Sequence, residues 1–205
     1  MATLSICFLT GIIHFNLFPK SLKICFYYVL ITFFVEWYGV YSLYISSEKK
    51  VATSVYSIYV PLSFLILSIF FVEIINNQTL KRIITILVPI IAPLTFYFMY
   101  YGNPTMINFK IYLIVNFLLC LYAISYFKEF LETQSEFYSN PYFWIVAGIL
   151  FFNAGFFFLS GFINHISEKD TILARKLFRF NHLLNIIYYS FITYSFICQR
   201  RLAKS

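Results

Sequence analysis

The sequence predicts an all-α protein, a polytopic transmembrane bundle of seven helices. Three observations predict it. Of 205 residues, 61% are hydrophobic and only 11% are charged, against roughly 25% charged in a soluble domain. Seven long apolar runs follow one another with short polar gaps between them. Period-2 alternation is absent, which argues against a membrane β-barrel. At a mean hydropathy of +0.79, a soluble fold of this size would lack the polar shell to cover its apolar surface. Lipid requires no such shell.

The expected helices are residues 2–18, 22–45, 51–75, 83–101, 106–127, 141–162 and 177–198, in a single transmembrane domain over 1–205. The first run is closed by Pro19 and Lys20; its seventeen residues reach about 25 Å, the minimum for a crossing. It has no basic n-region and no small-residue cleavage site, so it reads as a retained helix. Run two, after Lys23 at its start, is interrupted only by Glu36. Run three contains Pro61 and carries Glu73 near its end. Lys81 and Arg82 open run four, where Pro89 and Pro93 stand four residues apart on one face. Each removes a backbone donor, so a kink is expected there. Gly102-Asn103-Pro104 is a turn signal. Run five has Asn116 near its middle, and an acidic gap with Glu129, Glu132 and Glu136 follows it. Asn140 and Pro141 start run six as N-cap and first helical residue. Within it Ala147, Ala154 and Gly161 recur every seven residues, as do Gly148 and Gly155, a stripe that lets a neighbouring helix approach closely. Run seven ends at Gln199-Arg200-Arg201. The Pro pair of run four has no counterpart elsewhere, which argues against a transporter made of two similar halves.

The net charge of +7 lies between the apolar runs, where topogenic charge belongs, and not on one soluble face. No nucleic-acid partner is expected. Seven crossings put the termini on opposite sides. The C-terminal side holds eight basic residues and the N-terminal side seven. The compact Arg200, Arg201, Lys204 tail favours N-out, C-in in a bacterial inner membrane. The four cysteines lie within or at the ends of apolar runs without CxxC spacing, and read as small buried hydrophobes.

An ionisable group inside the hydrocarbon is expensive and is a functional candidate by default. Glu36 is the clearest. Under this topology it shares the outer half of the bilayer with Asn181, His182 and Asn185 of run seven. Asn153 lies mid-depth in run six. These five residues form the expected ligand-binding set, a small-molecule or proton site opening outward with Glu36 and His182 as its titrating pair. Tyr38 and Tyr41 lie nearby in sequence. The competing reading is packing: interhelical hydrogen bonds of about 1 kcal/mol each. Asn140, Pro141, Gly148, Gly155, Pro89 and Pro93 are read as structural. His14, Glu73, Asn164 and His165 lie near helix ends. No metal site is expected, because HxxxH spacing is absent and a metal needs at least three suitable ligands converging. No cofactor box and no catalytic set emerge: Ser160-Gly161 lacks a GxSxG context, and the single Asp170 excludes a two-aspartate protease.

Asn140-Pro141-Tyr142-Phe143-Trp144, then Gly148-Ile149-Leu150-Phe151-Phe152 and Gly155, then Phe180-Asn181-His182-Leu183-Leu184-Asn185-Ile186-Ile187 carry a resemblance. The chain resembles a group of small seven-helix membrane proteins of Bacteroidota-type bacteria, some encoded near sensor histidine kinases. The resemblance covers the last third well, and the rest through helix count and a Glu in helix two, here Glu36. It implies a sensory or signalling membrane module, and it marks Asn140, Pro141, Trp144, Gly148, Asn181 and Asn185. With no kinase or DNA-binding domain in the chain, output would need a partner such as a histidine kinase. The expected function is therefore a membrane sensor or signalling accessory that binds a small or lipidic ligand and has membrane lipid as a partner. The rivals are a proton-coupled small-solute transporter or channel, and a lipid-modifying enzyme using Glu36 and His182 as acid and base.

Overall fold

The computed structural model describes residues 1–44, 49–101, 109–133, 137–167, 173, 177 and 179–203. Among them the chain is all-α, with no strand. Seven α-helices follow in order: α1 (Ala2–His14), α2 (Lys20–Tyr44), α3 (Lys49–Ile74), α4 (Gln78–Tyr101), α5 (Phe109–Thr133), α6 (Pro141–Ser167) and α7 (Phe180–Leu202). A 3₁₀ turn, Phe15–Leu17, extends α1. Helices α2 to α6 are each long and apolar enough to cross a membrane. Helix α1 with its 3₁₀ turn reaches about 26 Å. The Gly102-Asn103-Pro104 turn, Glu136, Asp170 and Lys204 lie outside the described residues, as do the side chains of Gly161, Asn164 and His165.

Contacts gather into two compact units, Met1–Tyr112 and Leu113–Ser205. In the first, α1 packs on α2 through aromatic rings: Phe8 stacks on Phe33 with centroids 4.3 Å apart. Helices α2 and α3 run antiparallel. At one end of the pair Lys20 and Glu73 form an ion pair of 2.6 Å. Leu22, Cys25, Val29, Val60, Phe64 and Phe71 are buried on these two helices. Helix α4 buries Ile84, Val88, Thr95 and Met99, at steps of four, seven and four that trace one helical face. It runs unbroken through Pro89 and Pro93, which lie on its exposed side. Neither proline supplies the amide that an ordinary residue would donate to the preceding turn.

In the second unit, α6 begins as its cap dictates. The Tyr142 amide donates to Asn140 Oδ1 at 2.9 Å, and Pro141 at the first helical position needs no partner for an amide it lacks. Helices α6 and α7 pack antiparallel in a close register. A Cβ on Gly148 would lie 3.2 Å from both Phe191 Cβ and Tyr188 Cδ2. Phe152 stacks on Tyr188 at 5.1 Å. A Cβ on Gly155 would meet Leu184 Cδ2 at 2.7 Å. Gly148, Phe152 and Gly155 thus face Phe191, Tyr188 and Leu184 in reverse order, with the spacing of three and four that ridges in grooves require. Near the start of α6, Trp144 Nε1 donates to the Tyr138 carbonyl at 3.1 Å and its ring meets Tyr194 at 4.7 Å.

Candidate functional site

The polar side chains of α2 and α3 form one seam. On α2, Tyr28, Thr32, Glu36 and Gly39 recur at steps of four, four and three, so they share a face. On α3, Tyr56 and Tyr59 stand three residues apart, on the turn facing them. Thr32 Oγ1 donates to the Tyr28 carbonyl at 2.8 Å and lies 2.8 Å from the Tyr59 hydroxyl. A threonine has one proton to give, and the Tyr28 carbonyl takes it, so Tyr59 donates to Thr32. The Tyr59 hydroxyl also bonds the Tyr28 side chain. The result is a hydrogen-bonded cluster across two helices that joins Tyr28, Thr32 and Tyr59. Each bond polarises the next in a medium of low dielectric.

One turn further along α2, Glu36 is half-buried and accepts a hydrogen bond from the Tyr56 hydroxyl. Gly39 makes this possible. A Cβ there would sit 2.9 Å from Tyr56 Oη, so any larger residue would push the phenol away. Tyr112, the last residue of the first unit, lies close enough to interact electrostatically with Glu36, Tyr56 and Tyr59. Tyr56 and Tyr112 therefore lie beside the carboxylate, and Tyr28, Thr32 and Tyr59 continue the seam one turn away. Pro61 adds a local weakness. It has no amide to close onto the Ser57 carbonyl, so the turn carrying Tyr56 and Tyr59 holds one helical hydrogen bond fewer. Tyr38 and Tyr41, although near Glu36 in sequence, point off this face and are exposed.

The remaining members of the sequence-derived set lie in the second unit. Asn153 is buried and its Nδ2 donates to the Ile149 carbonyl at 2.6 Å. Asn185 Nδ2 donates to the Asn181 carbonyl at 2.8 Å. Asn181 Oδ1 is buried and finds no hydrogen-bond partner among the described residues. His182 is exposed. Asn181 and Asn185 are thus linked along one face of α7, one turn apart.

Chemically, the seam offers a carboxylate, phenol donors and π faces, within a segment long and apolar enough to cross a bilayer. Tyr28, Thr32, Tyr56, Tyr59 and Tyr112 did not stand out from the sequence. The signal that could find the α2 members is the helical recurrence of Tyr28, Thr32, Glu36 and Gly39.

Fold and seam together define a helical membrane protein with a polar site among its apolar helices. A family described as "Protein of unknown function (DUF2627)" has a model that matches residues 105–179, little more than a third of the chain. The match spans α5 and α6, including Asn140, Trp144, Gly148 and Asn153, while Glu36 and α7 lie outside it. Neither a curated protein nor a solved structure matches the chain.

Proposed function

We propose that this protein is a sensor or signalling accessory of the bacterial inner membrane, N-out and C-in, whose ligand is a small cation, the proton included, held at Glu36. The observation that carries this reading is the Glu36–Tyr56 hydrogen bond between α2 and α3, at a glycine that admits the phenol. A carboxylate within an apolar membrane helix and without a cation stays stable only by hydrogen bonding or by taking up a proton. A carboxylate held among apolar helices also suits a protonated amine, by charge. Occupation of Glu36 changes what Tyr56 bonds to. Both sit at an interface of two helices, one of them softened by Pro61, so helix position follows. A protein partner, of which a histidine kinase is one kind, would read that displacement. Asn153 and Asn185 act in this reading as packing groups satisfied along their own helices.

The experiment is infrared difference spectroscopy of the full chain in bilayers across a pH titration, with thermal shift against small primary and quaternary amines alongside. A protonated-carboxyl band that titrates in wild type should vanish in Glu36→Gln and move in Tyr56→Phe. An identical band in Glu36→Gln, with amine shifts also unchanged, sinks the reading. A second reading, a proton-coupled carrier, is favoured by Pro61 beside the seam. It predicts pH-dependent solute flux in proteoliposomes that Glu36→Gln abolishes.

A further inference from the structure

The stripe of small residues on α6 is double, and α7 uses only half of it. Gly148 and Gly155 are filled by Tyr188, Phe191 and Leu184 of α7. Ala147 and Ala154, one residue earlier in each case, instead form the floor of a groove. Its walls are Phe127 of α5, Phe191 of α7, and Leu150 and Phe151 of α6 itself. The groove holds about 460 Å³, is lined by apolar residues alone, and is largely open on one side. From Ala147 to Gly155 it runs about 12 Å along α6. That volume falls within the range of ordinary small-ligand sites, roughly 300–1,000 Å³.

Its position along the membrane normal is marked by side chains. Ala147 stands less than a turn beyond Trp144. That indole bonds the Tyr138 carbonyl and packs against both Tyr194 and the groove-wall residue Phe191, the latter at 5.5 Å. Tyr138, Trp144 and Tyr194 make an aromatic level of the kind found at headgroup depth. The groove lies on the hydrocarbon side of that level. Lys128 directly follows the wall residue Phe127 on α5, and Arg200 and Arg201 stand in the last turn of α7. All three are exposed, and none has an ion-pair partner among the described residues. At about 100° per residue, Lys128 lies about 100° round α5 from Phe127. Arg201 lies about 80° round α7 from Phe191, whereas Arg200 lies about 180° away. Glu129 and Glu132 follow on α5, but sit about 160° and 140° from Phe127. By angle, the cations turned to the groove's side are therefore Lys128 and Arg201.

We propose that this groove is a binding site for an anionic phospholipid, with one acyl chain lying over Ala147 and Ala154 and the phosphate held by Lys128 and Arg201. The parts match the molecule: an apolar slot, with an aromatic level and positive charge at its end. A zwitterionic lipid would fill the slot and gain little from the cations. Each Lys or Arg near a membrane surface is worth about fivefold in attraction to anionic lipid. Two of them make the preference measurable.

The test uses the full chain carrying Trp37→Phe, which leaves Trp144 as the one tryptophan, in phosphatidylcholine bilayers. A minor fraction of the lipid is replaced by acyl-brominated phosphatidylglycerol or acyl-brominated phosphatidylcholine, and quenching of Trp144 is read. Brominated phosphatidylglycerol should quench at least about threefold more effectively at equal mole fraction. Lys128→Gln with Arg201→Gln should erase the difference, and Arg200→Gln should keep most of it. Ala154→Phe should lower quenching by both lipids. Since Lys128, Arg200 and Arg201 are exposed, their variants test the idea even if the Ala154 variant misfolds. Equal quenching by the two lipids in the wild-type background overturns the proposal. So does an Arg200 variant as damaging as the Lys128/Arg201 pair, because general positive charge would then suffice. Absence of quenching by either lipid, with cysteines placed at Ala154 cross-linking two chains, assigns the groove to a second copy and overturns it as well.

Discussion

Gly148→Ala and Gly155→Ala should rank opposite to their closest contacts. A Cβ on Gly155 would approach Leu184 Cδ2 to 2.7 Å, the tighter clash, while on Gly148 the nearest atoms stand at 3.2 Å. The neighbours differ in what they can do. Leu184 is half-exposed, and its methyl groups can turn away. At Gly148 the neighbours are a Cβ, an aromatic carbon and the Tyr188 carbonyl oxygen at 3.4 Å. Tyr188 is fully buried and stacked on Phe152. Relief there requires α6 and α7 to part along their whole contact. Overpacking of that kind costs about 1–3 kcal/mol, and alanine returns about 0.5–1 kcal/mol of helix backbone preference. Gly148→Ala should therefore destabilise by about 1–2 kcal/mol, and Gly155→Ala by about 0.5 kcal/mol or less. Unfolding of the full chain in mixed micelles by added SDS reads both. A Gly155 variant less stable than the Gly148 variant would show that the leucine cannot yield and that the register argued for α6 and α7 is wrong.

Three further outcomes are expected. Gly39→Ala should displace the Tyr56 hydroxyl and reproduce the infrared change of Tyr56→Phe while leaving the Tyr56 ring in place; an unaltered spectrum would show that the phenol has room to spare. Thr32→Val and Tyr59→Phe should each cost about 0.6 kcal/mol, and at most about 1.7, the range measured for hydrogen bonds between membrane helices. Their double variant should be less than additive in SDS unfolding, because both remove one shared bond. Lys20→Met should cost less than about 1 kcal/mol, since Lys20 is 77% exposed and surface pairs are weak. A larger, salt-independent loss would place the Lys20–Glu73 pair out of reach of water.

The fold was legible because lipid as solvent writes composition into long runs. Each apolar run became a helix, and the differences lie at the ends. Helix α4 begins at Gln78 and includes Lys81 and Arg82, and α5 continues through Lys128 to Thr133, beyond the end of its apolar run. Hydrophobicity marks how much of a helix lies in hydrocarbon, whereas backbone hydrogen bonding carries the helix on into the headgroups. Glu36 was visible as the lone carboxylate of its run. Its surroundings were not, for a physical reason. Tyrosine is so common here, 18 residues, and so often an interface anchor, that Tyr56 and Tyr59 look no different from Tyr38 and Tyr41. Only the pairing of α2 with α3 distinguishes them, and pairing is a long-range property. The small-residue stripe of α6 was legible as a packing signal; that Gly148 and Gly155 serve α7 while Ala147 and Ala154 do not required the register of the two helices.

Polar side chains in apolar helices divide here by where their hydrogen bonds go. Thr10, Thr85, Thr95, Asn153, Asn185, Ser190 and Thr193 each donate to the carbonyl one turn back on their own helix. Such a bond satisfies the group without water, and it travels with the helix as a unit. Sliding or tilting that helix changes nothing for it, so it carries no information about helix position. The Thr32–Tyr59 and Glu36–Tyr56 bonds are of the other kind. Each joins α2 to α3, and each must break or exchange if the two helices shift relative to each other. Coupling runs both ways: if helix displacement changes the partners of Glu36, then a cation or proton at Glu36 biases helix displacement by the same free energy. A sensor confined to the bilayer needs at least one group of this second kind. On α2 and α3 that group is the only carboxylate among the seam's side chains, which is why Glu36→Gln is the substitution that separates a signalling site from a packing device.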